Sequence, residues 1–368
     1  MYLALVDHHC HVVTGGRLER PALERYLSES HHPPPEGWSA FDSALGVAVR
    51  RWCGPALGLP AGAEPDAYVA ARRELGPEEA NRRLMRAAGL VALLIDTGLA
   101  GGEMVEPGAL GRLAQAEVRE LVRLEALAEE VAAAGTTAAG FADAFAAELD
   151  ARTAAGAVGV KSIVAYRHGL DFDPARPSAA EVRRAAGGWL AGGSGRLSDP
   201  VLLRHLIWEG LATGLPLQLH TGLGDPDEEL RRCDPALLAD FLRATVDAGP
   251  PILLLHTYPY HRQAAYLANV FPHVHTDIGL AIPHVGLRGA AVLAETLELV
   301  PFGKLLFSSD AYGLAELYLA AASAFREALE RVLPELGIRD ADRDRIATAI
   351  GAGNARRVYR LAPAADGG

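Results

Sequence analysis

Eight short apolar runs punctuate the chain: LALV (3–6), LVALLID (90–96), VRELVRL (118–124), AVGVKSIVA (157–165), LPLQLH (215–220), PILLLH (251–256), HVHTDIG (273–279) and KLLFSS (304–309). Between most of them lie segments such as EALAEEVAAAG and DPALLADFLRATVDAG, whose apolar spacing and closing glycine suit amphipathic helices. Eight strands alternating with helices predict an α/β fold, a distorted (β/α)8 TIM barrel. The third run is the weakest member, because RELVRLEALAEE also reads as continuous helix. Residues 15–88 far exceed a βα loop and read as a helical insertion after strand one, capping the barrel top. A second irregular stretch with Gly, Ser and Pro breakers follows strand four. There is no internal repeat, residues 1–368 form one barrel domain, and only the tail APAADGG reads as disordered.

Half of the residues are hydrophobic and 22% are charged, a balance that supports a large core. The net charge of -11 excludes nucleic acid and anionic membrane surfaces as partners and leaves a small-molecule substrate. Cys10, Cys53 and Cys233 are odd in number and far apart, so neither a disulfide framework nor a cysteine zinc site is indicated, and a reducing cytoplasm fits. No secretion signal or membrane span is expected, and a homo-oligomer is compatible with the composition.

The polar exceptions sit at one address. In barrels of this kind the C-terminal strand ends build the active site. There the chain places His9 and His11 after strand one, Lys161 in strand four, His220 ending strand five, His256 ending strand six and Asp310 ending strand eight. A lone strand-end histidine reads as an inert hydrogen-bonding residue; four with an aspartate at one rim read as a metal site. Strand alternation puts His9 and His11 on one face and His8 and Cys10 on the other, with Cys10 packed between strand and helix. Imidazoles and a carboxylate suit a divalent cation with open positions for water. His9, His11, His220 and Asp310 are the candidate ligands, and Asp310 is also the candidate base.

VDHHCH, LIDTG, RLE (123–125), GVKSIVAYRHGL, LQLHTGLGD, LLLHTYPY, VHTDIGL, KLLFSSDA and GAGNARRVY together resemble the amidohydrolase superfamily, specifically the FluG-like branch of its amidohydrolase-2 group. The resemblance covers nearly the whole chain. It implies His9, His11 and His220 as metal ligands, Asp310 as ligand and proton acceptor, and His256 as a second-metal ligand or a group that polarises substrate. It also implies one or two ions, zinc by default, with manganese or nickel as alternatives. Lys161 either becomes carboxylated and bridges two metals, binds a substrate carboxylate, or pairs with an inward acid such as Glu125.

Tyr166, Arg167 and His168 follow strand four and face the mouth. Arg167 either clamps a carboxylate with two bonds or makes a surface ion pair. Arg123 and Glu125 end strand three, unless that run is helix, in which case they are a solvated face. Gln218 shares a face with His220 and sits deeper. Asp277 either orients a substrate amine or caps its loop. His205, His261, His273 and His284 read as surface residues, His31 and His32 lie too far from any fixed partner to be ligands, and the Glu/Arg-rich runs read as solvated faces. The expectation is a metal-dependent amidohydrolase acting on a C–N bond of a small carboxylate-bearing substrate. Its rivals are a non-oxidative decarboxylase on the same site and a non-catalytic scaffold barrel.

Overall fold

Seven of the eight apolar runs become parallel strands: β1 (Leu5–Cys10), β2 (Leu90–Asp96), β3 (Glu117–Arg123), β4 (Gly159–Ser162), β5 (Leu217–Thr221), β6 (Ile252–His256) and β7 (Val274–Thr276). They pair in strictly sequential order. The computed structural model describes residues 3–99, 102–247 and 249–362, so most of the tail expected to be disordered lies outside the described residues. β1, β4, β5, β6 and β7 are buried along their full length, as strands covered by helices outside and side chains inside must be. The doubtful third run is a strand after all, and the helix Leu124–Ala133 begins directly at its end.

The eighth run corrects the expectation of a regular strand. Residues 305–310 form no ladder beyond one bridge, Thr276 to Leu305. They still close the ring, because Leu306 N–H donates to Thr276 O on one side while His8 N–H donates to Phe307 O and Asp310 N–H to His9 O on the other. The result is a distorted (β/α)8 barrel. β1 also departs from simple alternation, with a register shift against β2 between Asp7 and Cys10. His8 therefore turns toward Asp277 and Tyr359 instead of away from the interior groups that His9 reaches.

Between β1 and β2 lie four α-helices, Arg20–Arg25, Ala44–Ala56, Pro65–Leu75 and Pro77–Ala88, and the short 3-10 helix Ala40–Asp42. The chain just after the first of them, Tyr26 to His31, reaches the barrel mouth. Among the described residues, no helix is long and apolar enough to cross a membrane.

Several histidines expected at the surface are buried, namely His205, His261 and His273, and the half-buried His284 lines the central cavity. His205, on the helix Pro200–Ala212, turns inward beside Phe141 and Phe145, and His261 turns toward Glu295 at 2.8 Å. The buried His275 on β7 is pushed down to about 4, chiefly by burial and then by the Lys304 and Arg357 charges, against a backbone bond to His273 that opposes the shift. A base lowered from about 6.5 contributes stability that is present above pH 6.5 and lost as pH falls toward 4. His275→Gln is expected to flatten the urea-unfolding free energy over that window by on the order of 2–3 kcal/mol relative to wild type. Parallel pH profiles for the two proteins would refute the assignment.

Candidate metal centre and active site

Two of the strand-end residues have backbone torsions that most L residues avoid. His256 has φ +67° and Asp310 has φ +52°, each in the left-handed region. Such conformations cost about 1–3 kcal/mol and persist where surrounding bonds enforce them. Asp277 Oδ1 accepts from His256 N–H (2.7 Å) and Gly279 N–H (3.0 Å), and Thr257 Oγ1 donates to Asp277 O (3.0 Å). Asp7 holds the other turn, its Oδ1 accepting from Ser309 N–H (2.9 Å) and its Oδ2 from Ser309 Oγ (2.5 Å). The effect is to turn both side chains inward over the end of β1. Tyr318 OH donates to the His11 carbonyl from the helix Ala315–Glu335 and fixes that residue's backbone.

The side-chain atoms then converge. Asp310 Oδ1 lies 3.0 Å from His9 Nε2 and 3.5 Å from His11 Nε2, and Oδ2 lies 3.4 Å from His256 Nε2. Two ligand atoms each about 2.1 Å from one tetrahedral zinc would be about 3.4 Å apart. His9, His256 and Asp310 form one group able to hold a cation, and His9, His11 and Asp96 form another. Both ring nitrogens of His256 are buried with no hydrogen-bond partner. Leaving a buried polar atom unmatched costs about 1–3 kcal/mol, so a cation that takes up one of them fits the donor set.

The electrostatics agree with that fit. Burial alone would raise the Asp310 carboxyl, but the surrounding imidazoles, His256 foremost, hold it well below the usual carboxylate range. Burial, with the Lys161 ammonium next, pushes His9 down to about 4, and burial pushes His256 well below its ordinary value. The site thus offers a charged carboxylate and neutral imidazoles, the protonation states that ligate metal.

The proton positions beneath His9 follow from the bonds. Gln218 Nε2 donates to His8 O and to Tyr359 OH, both at 2.7 Å, so Oε1 faces His9 Nδ1 at 2.8 Å. His9 therefore donates from Nδ1 and presents the Nε2 lone pair to the cluster. Tyr359, having accepted from Gln218, donates to His8 Nδ1 (3.0 Å), and His8 Nε2–H donates to Asp277 Oδ2 (2.8 Å). Gln218→Leu is expected to weaken zinc binding about 10–100-fold, the usual effect of removing a group that orients a metal-binding histidine. Chelator competition measures it, and an unchanged affinity would refute the tautomer assignment.

Lys161 Nζ donates to His9 Nε2 at 3.1 Å, and burial pushes its ammonium down to about 8. The expected alternative partner, Glu125, is engaged elsewhere: it accepts from Ser162 Oγ (2.6 Å) and Ile163 N–H (3.0 Å). His220 shares the site, its ring centroid 4.8 Å from that of His256, but its Nε2 faces Glu228 Oε2 at 3.1 Å and not the Asp310 cluster. Glu228 is missed by sequence reasoning, since an acid in GLGDPDEEL carries no mark that its carboxylate folds back into a barrel.

A cavity of about 620 Å³ opens above the cluster, and its wall includes Arg123, Lys161, Tyr166, Arg167, His220 and Asp310. Arg123 is committed to Asp96, donating from Nε (2.9 Å) and Nη2 (2.5 Å) to Oδ2. The Tyr166 ring lies against that of His220, their centroids 4.4 Å apart and their planes tilted by 46°. Three residues expected to contact substrate do not line this wall: Glu125, Asp277 and His168. Glu125 Oε1 and both carboxylate oxygens of Asp277 are engaged by the bonds described, and His168 follows the turn that carries Arg167 into the wall. His31 reaches the rim, exposed, 3.7 Å from Asp225.

The chain is similar to known proteins in sequence and in fold. The amidohydrolase-2 family model, described as amidohydrolase, matches residues 6–361. FluG of Emericella nidulans is 37% identical over 190 residues, a match covering 48% of this chain and 22% of FluG. A crystal structure from Lactobacillus casei, provisionally described as a metal-dependent hydrolase, is 28% identical with a TM-score of 0.86 over 97% of this chain and 95% of that one. The glucuronate isomerase of Caulobacter crescentus, 16% identical with a TM-score of 0.65 over 99% and 92% of the two chains, shares the fold alone. By the family match along nearly its whole length, this chain belongs to the amidohydrolase family.

Proposed function

We propose that the chain is a metal-dependent hydrolase that cleaves an amide or related C–N bond of a small carboxylate-bearing molecule. The observation that supports this best is the convergence of His9, His11, His256 and Asp310 at the floor of a cavity. A divalent cation held there, zinc by default and manganese or nickel otherwise, supplies Lewis acidity toward a carbonyl and acidifies water. Asp310, kept ionised, accepts the proton of the attacking water and returns it to the departing nitrogen as the C–O bond forms and the C–N bond breaks. His256 and Lys161 face the same volume and steady the developing negative charge. Arg167 binds the carboxylate end of the substrate.

Turnover of a panel of amides in 18O-labelled water, with metal content measured on the same preparation, tests the reading. One labelled oxygen in the acid product and release of the amine are expected from a protein carrying one or two ions per chain. Carbon dioxide release without label would replace it with the decarboxylase. A chain that holds no metal after supplementation, and turns nothing over, would be a scaffold.

A further inference from the structure

Arg167 ends the short helix Val164–Arg167 directly after β4, and its side chain lines the cavity while only 10% exposed. Its Nη1 is tied down, donating to Glu129 Oε1 at 2.8 Å and to Leu197 O at 3.2 Å. Its Nε is buried with no partner, and among the described residues Nη2 has none either. Those two donors lie side by side on the planar guanidinium, the edge that grips a carboxylate with two parallel bonds. An unmatched buried donor is costly, and a ligand that brings acceptors to this edge would relieve it.

Glu129, on the helix Leu124–Ala133, supplies the opposite polarity. Its Oε1 is used twice, accepting from Arg167 Nη1 and from Leu197 N–H, both at 2.8 Å. Its Oε2 has no partner among the described residues, and the side chain lines the same cavity at 30% exposure. The Glu129 carboxylate is thus joined to the guanidinium at Nη1 and keeps a second oxygen without a partner among the described residues. The other cavity arginines offer no such pair: Arg123 is spent on Asp96, Arg196 bonds Asp227 at 2.6 Å, and Arg25 is exposed.

We propose that Arg167 and Glu129 form a subsite for an α-amino acid headgroup, the guanidinium edge taking its carboxylate and the free Glu129 oxygen taking its ammonium. Carboxylate and ammonium on one carbon match two opposite charges held together by a shared ion pair. The proposal rests on the hydrolase reading of the cavity, under which the scissile bond belongs to the part of the molecule that reaches Asp310.

Calorimetric titration of the zinc-loaded full chain with L-norvaline, pentanoate and butylamine tests the subsite without requiring turnover. Wild type is expected to bind norvaline at least about tenfold tighter than either single-charge analogue, which is about 1.4 kcal/mol. Arg167→Met is expected to lose that binding of norvaline and pentanoate. Glu129→Gln keeps the oxygen that serves Leu197 N–H, and it is expected to remove norvaline's advantage over pentanoate. Arg167→Lys keeps the charge and lacks the fork, so it too should bind weakly, and it provides the answer if the methionine variant unfolds. Norvaline binding equal in wild type and both Arg167 variants would show chelation by zinc alone and overturn the subsite, as would no binding by wild type. Headgroup binding in a protein that hydrolyses no C–N bond would support the subsite and sink the hydrolase reading, so the two failures are distinguishable.

Discussion

Asp310→Asn is expected to lower kcat by about a hundred- to ten-thousandfold, the range for removing a positioned proton acceptor. The substitution isolates the carboxylate well. Asparagine tolerates the left-handed region, so φ +52° at this position is retained with little strain. The backbone bond from residue 310 N–H to His9 O does not involve the side chain. The amide can still turn an oxygen toward His9 and His11, but it cannot take up a proton near neutral pH. Metal content is to be measured on the same sample, because the lost charge also weakens the ligand set. Activity within tenfold of wild type, at equal metal content, would remove Asp310 from the proton path.

The contrast between Asp310 and Glu228 shows what a sequence discloses about such a site. Where an apolar run ends in a polar residue, the run fixes the strand and the strand fixes the rim, so His9, His11, Lys161, His220, His256 and Asp310 are legible together. The barrel follows from the same runs. Period-two reasoning holds only inside regular strand, and it fails where β1 slips register between Asp7 and Cys10, sending His8 to Asp277. It fails again at residues 305–310, which close the ring through single bonds to Thr276, His8 and His9 with no ladder beyond one bridge. Partners chosen across the barrel are beyond local pattern. Asp277 reads first as a cap for its loop and second as a substrate contact, and nothing local shows that His8 and the His256 amide claim its oxygens; Glu228 lies in a loop whose acids all look solvated.

Arg72→Met is expected to destabilise the chain by about 3–5 kcal/mol, the cost of leaving a buried charge unpaired. Arg72 on the helix Pro65–Leu75 donates from Nε to Glu316 Oε1 at 2.6 Å, both side chains being almost wholly buried. Tyr68 OH donates to the same oxygen at 3.2 Å, while Glu316 Oε2 has no partner. Arg72 Nη2 also donates to Asn81 Oδ1 (3.1 Å), whose Nδ2 donates to Thr14 O (2.8 Å) three residues beyond His11. The insertion is therefore anchored through one buried pair to the helix Ala315–Glu335 and to the chain leaving the metal centre. Without the guanidinium, the Glu316 carboxylate faces apolar neighbours with one hydroxyl for company. Adding Glu316→Leu removes that charge, and the double variant should recover most of the loss in urea unfolding, since a well-packed apolar pair often equals a buried ion pair. The single variant, assayed where it is still folded, should also raise KM more than it lowers kcat, because the same insertion carries Tyr26 to His31 to the cavity mouth. A single-variant loss below about 1 kcal/mol would mean that water reaches Glu316 and that the insertion is held by its apolar contacts instead.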